Sequence, residues 1–371
     1  MPTTLFEPDN FTRPEIKYRP ALEGERERLV PVLRRYAPRA SFVSLDEFDG
    51  AEINSQNFRV TIKAENGKEE MLFLKRYKSF PAEQLTFQIG FLKNLAQHKV
   101  KVNHALPATD GSTWITEEGE RYAMFRFLQA SHFKPSDESW TNTSRAIGGM
   151  HRAFRELRDT YYEPIATLSH ANTSPGAYFN KIHSYSLADI VEIKKSQHSD
   201  GRGIDQNIFI AAVEALENAM RIKLTEPAHG PIARDIIHSD LHPHNILMNG
   251  DEVAAIIDFD SLRPSEIARD AAFFIYRFGR QFFVREGGRA DLESVTKEAK
   301  LLREKALAVY LLECSLSDEE VSAMGPLLMD EFIIKMLFVL RGVYIDGNAT
   351  WASNLPKFTM ALLEIPLFFK E

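Results

Sequence analysis

The sequence holds a single cysteine, Cys314, so no disulfide can close within the chain, and a reducing compartment is expected. It also lacks the run of 18 or more apolar residues that a membrane-spanning helix needs. The most apolar stretches, AAFFIYRFGRQFF (271–283) and FIIKMLFVLRGVY (332–344), are broken by Arg or Lys. The opening MPTTLFEPDNFTRPE does not carry the basic and then apolar pattern of an export signal. Positive charge is not in excess: 45 Lys plus Arg stand against 52 Asp plus Glu, a formal net charge of −7. No global field therefore favours polyanions, so neither nucleic acid nor a membrane is an expected partner, and a cytoplasmic location is. Internal repeats, low-complexity tracts and a G-x-G-x-x-G loop are absent as well. What the 371 residues do supply is more chain than one core accommodates, since single cores stop growing at roughly 250–300 residues.

Periodicity divides the chain. Residues 1–49 read as an N-terminal appendage with one helix, GERERLVPVLRRY (24–36). FRVTIKAENGKEEMLFLKRY (58–77) is two β-rich runs joined at Asn66-Gly67, a strong hairpin signal. PAEQLTFQIGFLKNLAQH (81–98) opens on Pro and aligns Leu85, Ile89, Leu92 and Leu95 on one helix face. With strands expected near 113–117 and 121–128, residues 50–130 form a β-rich lobe. Residues 131–371 are mainly helical, with a second hairpin signal at Asn249-Gly250 inside IIHSDLHPHNILMNGDEVAAIIDFD (236–260). The polar, glycine-containing SQHSDGRG (196–203) reads as a surface loop. The fold class is therefore α+β, with a small antiparallel lobe followed by a larger helical one.

HSDLHPHN (238–245) sets Asp240 two residues after His238 and Asn245 five residues after Asp240; a hydrophobic hairpin then delivers Asp258 in IIDFD (256–260). An amide oxygen and a carboxylate, Asn245 and Asp258, are the hard ligands that Mg²⁺ on a nucleoside triphosphate needs. A separate carboxylate, Asp240, is the candidate to orient an acceptor hydroxyl and take its proton. Asp258 follows an apolar run, so ionising it there calls for a compensating cation. Asp260 either sits near the metal or caps the following turn. Lys75, at the end of LFLK (72–75), is placed to hold phosphates. Its helix partner is assigned to Glu83, although helical phase points nearer to Gln88. NSQNFRV (54–60) would cover the phosphates through Ser55, Asn57 and backbone amides.

In this order the motifs resemble the aminoglycoside phosphotransferase and choline kinase-like family, relatives of protein kinases, over roughly residues 50–280. The resemblance implies a two-lobed protein-kinase-like fold and transfer of the γ-phosphate of ATP, with Mg²⁺, to a hydroxyl of a small molecule such as an amino alcohol, sugar or aminoglycoside. It makes Asp240 the catalytic base with His238 in the same loop, Asn245 and Asp258 the metal ligands, and Lys75 the phosphate clamp. RYAMFRFLQ (121–129), with Met124, Phe125 and Phe127, becomes the adenine-binding connection between lobes. AIGGMHRAF (146–154) looks like the family's first large-lobe helix, and Asp270 resembles the acid that steadies the catalytic loop. The helices after 294, with Glu313, Asp330, Glu331 and VYIDGNATW (343–351), are expected to wall a pocket for a polar or cationic acceptor.

Two other classes compete. A nucleotide-binding module without turnover fits the glycine-poor loop. A dinuclear metallophosphoesterase fits the His238, His242 and His244 cluster and the SDLH string, but it would need Gly-Asp-x-x-Asp, where GDEVA (250–254) ends in alanine, and a later Gly-Asn-His that is missing.

Overall fold

The computed structural model describes residues 5–8, 17–48, 55–78, 80–171, 185–196, 205–225, 232–284, 288, 291–347 and 351–369. All but the first residue of the loop expected at 196–203 lies outside them.

The N-terminal lobe is one antiparallel sheet in the order β1-β2-β3-β4-β6-β5. Its strands are β1 (Tyr18–Pro20), β2 (Ser41–Phe48), β3 (Ser55–Lys63), β4 (Glu69–Tyr77), β5 (Ile115–Glu117) and β6 (Glu120–Arg126). The β3–β4 turn forms as Asn66-Gly67 predicts: Gly67 takes φ +80°, where a side chain would be strained, and Asn66 Oδ1 accepts from the Lys68 amide at 3.0 Å. Alternation sends Phe58, Val60, Ile62, Leu72 and Leu74 to one face, where they bury Leu29, Val32 and Leu33 of α1 (Glu23–Tyr36). The opposite face packs Tyr77, Ala123 and Phe125 against Leu85 and Ile89 of α2 (Ala82–Gln97).

The stretch before residue 50 is thus part of the sheet rather than an appendage. Strand β2 pairs with β3 from Ser41↔Lys63 to Glu47↔Phe58, and β1 pairs with β2. SFVSLDEF conceals this because the strand is only partly buried, so polar residues interrupt its apolar alternation.

The larger lobe is built around the long helix α3 (Asp137–Ala171) and helices at Gln206–Thr225, Ile267–Gly279, Leu292–Tyr310, Met324–Tyr344 and Leu355–Phe369. Its small strands are β7 (Ser131–His132), β8 (Asp235–Ile237), β9 (Ile246–Asn249), β10 (Glu252–Ile256) and β11 (Arg263–Ser265). They form a β10-β9-β7 sheet and a β11-β8 pair, which suspend the 238–262 segment at the mouth of the helical lobe. Gly148 on α3 is a close-approach glycine: a Cβ there would sit 2.8 Å from the Tyr310 carbonyl oxygen. Helix Ile267–Gly279 is buried along its whole length and carries Arg269 and Arg277, while Arg280 follows it directly. Arg280 is neutralised by buried Glu364 at 2.7 Å, as an enclosed charge must be. The lobes touch through a parallel bridge between Val102 and Ile256 and through the Ile256 amide, which donates to the Lys101 carbonyl at 2.7 Å.

Candidate active site

The 238–245 loop is held by polar groups, several of them from the segments that follow it. Ser239 adopts φ +70°, a left-handed conformation that costs a non-glycine residue roughly 1–2 kcal/mol. Asp270 secures it: Oδ2 accepts from the His238 amide at 2.9 Å and Oδ1 from the Ser239 amide at 3.0 Å. His151 Nε2 lies 3.1 Å from the same carboxylate, and its Nδ1 lies 2.7 Å from the Tyr310 hydroxyl. Arg263 Nε donates to Ser239 Oγ at 2.8 Å and Arg263 Nη2 to Glu331 at 2.7 Å, tying the loop to the helix at 324–344.

His238, fully buried, has Nδ1 accepting from the Asp240 amide at 3.3 Å and Nε2 donating to the Ile257 carbonyl at 3.0 Å. Burial keeps its imidazole neutral, against the pull of Asp270 and Asp240. Both ring nitrogens are committed to backbone, so the ring clamps Asp240 to the end of the β9–β10 hairpin. Asn245 Nδ2 donates to the Asp240 carbonyl at 2.8 Å, while the Asn245 carbonyl accepts from Ile257 N at 2.9 Å. With Nδ2 committed, Oδ1 is the atom of Asn245 suited to a cation.

Asp258 sits just past β10 with φ 64° and ψ 59°, turning the chain into the short 3₁₀ segment Phe259–Ser261. Its carboxyl is pushed up to about 7, by burial first and by the like charge of Asp260 next, against the pull of Lys75. With 44% of the side chain exposed, water tempers the burial part. Lys75 Nζ lies 2.8 Å from Asp260 Oδ2 and 3.6 Å from Asp258 Oδ1. Burial would lower the lysine's pKa, but Asp260, Tyr77 and Asp258 outweigh it and keep Lys75 protonated. Two acids converge on one lysine, so the cluster has room for further positive charge, and its hard oxygen donors suit a magnesium ion.

The lysine's partner is therefore Asp260, not Glu83. Glu83 is exposed on α2, whereas Gln88, one face round, donates to Asp260 Oδ1 at 2.6 Å. The sequence carried the signal in the second acid of IIDFD, but only the meeting of the lobes selects it.

Register puts Ser55, Asn57, Lys75, Ala123 and Phe125 on one face of the sheet, with Asn57↔Lys75 and Lys75↔Ala123 as cross-strand partners. Of the segment expected to cover the phosphates, 54–60, only Asn54 lies outside the described residues; Ser55 to Val60 are the paired start of β3 rather than a loop. Met124 is on the opposite face, fully buried against α1, with its carbonyl accepting from the Leu106 amide at 2.7 Å. Its side chain cannot line an adenine slot beside Lys75. Phe125 packs into the α2-facing core, and Phe127, half-buried, lies 6.1 Å from the Tyr18 ring. Residues 127–130 link β6 of the first sheet to β7 of the second.

The acids expected to line a cationic acceptor's pocket are committed elsewhere. Glu313 pairs with Arg152 at 2.7 Å, Asp330 accepts from Tyr185 and Arg269, and Glu331 holds Arg263 and Lys335. The charges that act on Asp240 from this side are the cations Lys335 and Lys357. Of VYIDGNATW, residues 348–350 lie outside the described residues. His238, His242 and His244 do not form a metal cluster: among the described residues no group of three His, Cys, Asp or Glu could hold one.

Comparison with known proteins places the family and the fold. A sequence profile described as the phosphotransferase enzyme family matches residues 47–302, more than half of the chain. A homoserine kinase from Sinorhizobium fredii is 26% identical over 244 residues, covering 63% of this chain and 66% of that protein. A homoserine kinase from Rhodopseudomonas palustris is 24% identical over 240 residues, with the same coverage. The chain thus spans just under two thirds of the length of these curated relatives. Among solved structures, an aminoglycoside phosphotransferase from Alicyclobacillus acidocaldarius has a TM-score of 0.58 at 12% identity, covering 95% of this chain and 96% of that one. An amicoumacin kinase in complex with AMP-PNP and Ca²⁺ has a TM-score of 0.56 at 14% identity, covering 92% of each chain. These likenesses establish the two-lobed protein-kinase-like fold.

Proposed function

The chain belongs to the phosphotransferase enzyme family, and from that premise we propose that it transfers the γ-phosphoryl group of ATP to a hydroxyl of a small molecule. The observation that carries this reading is the meeting of Lys75 from the sheet with Asp258 and Asp260 from the helical lobe, beside the loop that holds Asp240 and Asn245. Phosphoryl transfer asks the protein for positioning and charge rather than covalent chemistry, and this arrangement supplies both. Lys75 holds phosphate oxygens. Asn245 and Asp258 would hold magnesium, which when bound neutralises charge on the phosphates. Asp240 orients the acceptor hydroxyl and takes its proton as the new O–P bond forms and the bond to the ADP oxygen breaks.

For the acceptor, the names of the similar proteins favour small amino alcohols: two are homoserine kinases, and a microcompartment-associated aminopropanol kinase has a TM-score of 0.53 at 15% identity. Mg-ATP offered with homoserine, 1-amino-2-propanol, sugars and aminoglycosides, with phosphorylated product followed by mass, tests the proposal. One phosphorylated acceptor is expected. Binding of Mg-ATP without transfer to any of them would leave a nucleotide-binding module instead.

A further inference from the structure

We infer that His242 is a positioning residue for Asp240: a neutral imidazole that donates from Nε2 to Asp240 Oδ2 and so reserves Oδ1 for the incoming hydroxyl. The inference rests on the phosphotransfer reading for its catalytic meaning, but its structural part stands alone.

The tautomer follows from the backbone. The His244 amide donates to His242 Nδ1 at 3.2 Å, closing the turn that opens the 3₁₀ segment Pro243–Asn245. A ring nitrogen that accepts from an N–H carries no proton of its own, so the proton of the neutral ring is on Nε2. That nitrogen lies 3.3 Å from Asp240 Oδ2. The His242 side chain is 13% exposed, and burial holds its pKa below the ordinary histidine value despite the neighbouring carboxylate. Proline at position 243 fixes φ at the start of the turn, and the His244 ring stacks on His132 at 4.3 Å and 22°, so the amide that selects the tautomer is itself held.

The consequence concerns Asp240. Its Oδ2 faces His242 Nε2 at 3.3 Å and Asn245 Nδ2 at 3.4 Å. A carboxylate free to rotate would offer either oxygen; one with two donors on the same oxygen presents the other in a fixed direction, which is the orientation an acceptor hydroxyl needs. The hydroxyl proton passes to Oδ1 while the hydroxyl oxygen bonds to the γ-phosphorus and ADP departs. His242 neither gains nor loses a proton in the step.

The test uses the full chain, labelled with ¹⁵N-histidine, at pH 7.5. The ring signals of His242, assigned by their absence in His242→Gln, are expected to show a protonated Nε2 and a bare Nδ1, and Asp240→Leu should shift Nε2 and leave Nδ1 in place. A protonated Nδ1, or an Nε2 indifferent to Asp240→Leu, overturns the inference whether or not turnover is found. In kinetics, His242→Leu should lower kcat on the order of ten- to a hundredfold, the loss typical of removing a supporting hydrogen-bond partner, with KM for Mg-ATP within twofold. Glutamine, whose amide can still donate to Asp240, should restore most of it. Equal losses for Leu and Gln, or a loss confined to KM, would reduce His242 to packing. Wild-type protein that turns over Mg-ATP with no acceptor would defeat the functional proposal, with the tautomer measurement still deciding the His242–Asp240 bond.

Discussion

The Ser239 amide donates to Oδ1 of Asp270 at 3.0 Å, and this bond holds a non-glycine residue at φ +70° immediately before Asp240. Because the second oxygen of Asp270 takes the His238 amide, the carboxylate must accept on both sides. Asp270→Asn would turn an amide donor toward one of these N–H groups. We expect a loss of about 1–3 kcal/mol in denaturant unfolding, the cost of a buried unsatisfied donor, together with a lower kcat. An unfolding midpoint equal to the wild type would show that the carboxylate does not hold the loop.

Asp240 and Asp258 should separate in their effects. Asp240→Asn is expected to lower transfer on the order of 10²–10⁴-fold, the range for loss of a general base, while Mg-nucleotide affinity stays near wild type. Asp258→Ala should weaken Mg-nucleotide binding as well. Calorimetric titration beside turnover checks this, and full activity in Asp240→Asn would remove that residue from the chemistry.

Glu331 sets a pH dependence. Burial would raise its carboxyl, but Arg263, Lys335 and Arg269 outweigh burial and hold it well below the usual carboxylate range. A group depressed in the folded state adds stability above its unfolded value, about 4.3, and that stability is lost as pH falls toward the folded value. Glu331→Gln should therefore be less stable by about 3–5 kcal/mol near pH 7, the cost of breaking a buried ion pair. The gap to wild type should close on acidification below about pH 4. A gap that stays constant down to acid unfolding would assign the cost to something other than charge.

Gly148 and Gly149 on α3 provide a paired control. A Cβ at 148 meets the Tyr310 carbonyl at 2.8 Å and Glu313 Cβ at 2.9 Å, whereas a Cβ at 149 meets nothing within 4 Å. Gly148→Ala should destabilise by about 1–3 kcal/mol through overpacking. Gly149→Ala should be neutral or gain up to about 1 kcal/mol from helix propensity. Thermal unfolding of the two variants side by side is sufficient, and equal shifts would contradict the close helix approach.

Chemistry confined to one stretch of chain was the most legible. The spacing of Asp240, Asn245 and Asp258 lies within a loop and hairpin, and the Asn66-Gly67 and Asn249-Gly250 turns announce themselves through backbone preference. Features decided by one element packing on another were not legible. Helical phase pointed nearer to Gln88 than to Glu83, but Asp260 against Lys75 depends on how the lobes meet. Met124 looked like a cleft residue because strand β6 reaches the cleft, yet alternation sends its side chain to the other face. Asp330 and Glu331 looked available to a substrate because the arginines that claim them, Arg263 and Arg269, are distant in sequence.

The partner of Lys75 lies two residues from Asp258, on the same short segment of backbone. In the protein-kinase arrangement that partner is a glutamate on the small-lobe helix, so swinging the helix outward disconnects the lysine and switches the enzyme off. Here an outward swing of α2 would cost its packing on the sheet and the Gln88 contact, yet leave Lys75 attached to Asp260. The lysine's anchor and the loop that bears Asp258 therefore travel together, whatever α2 does.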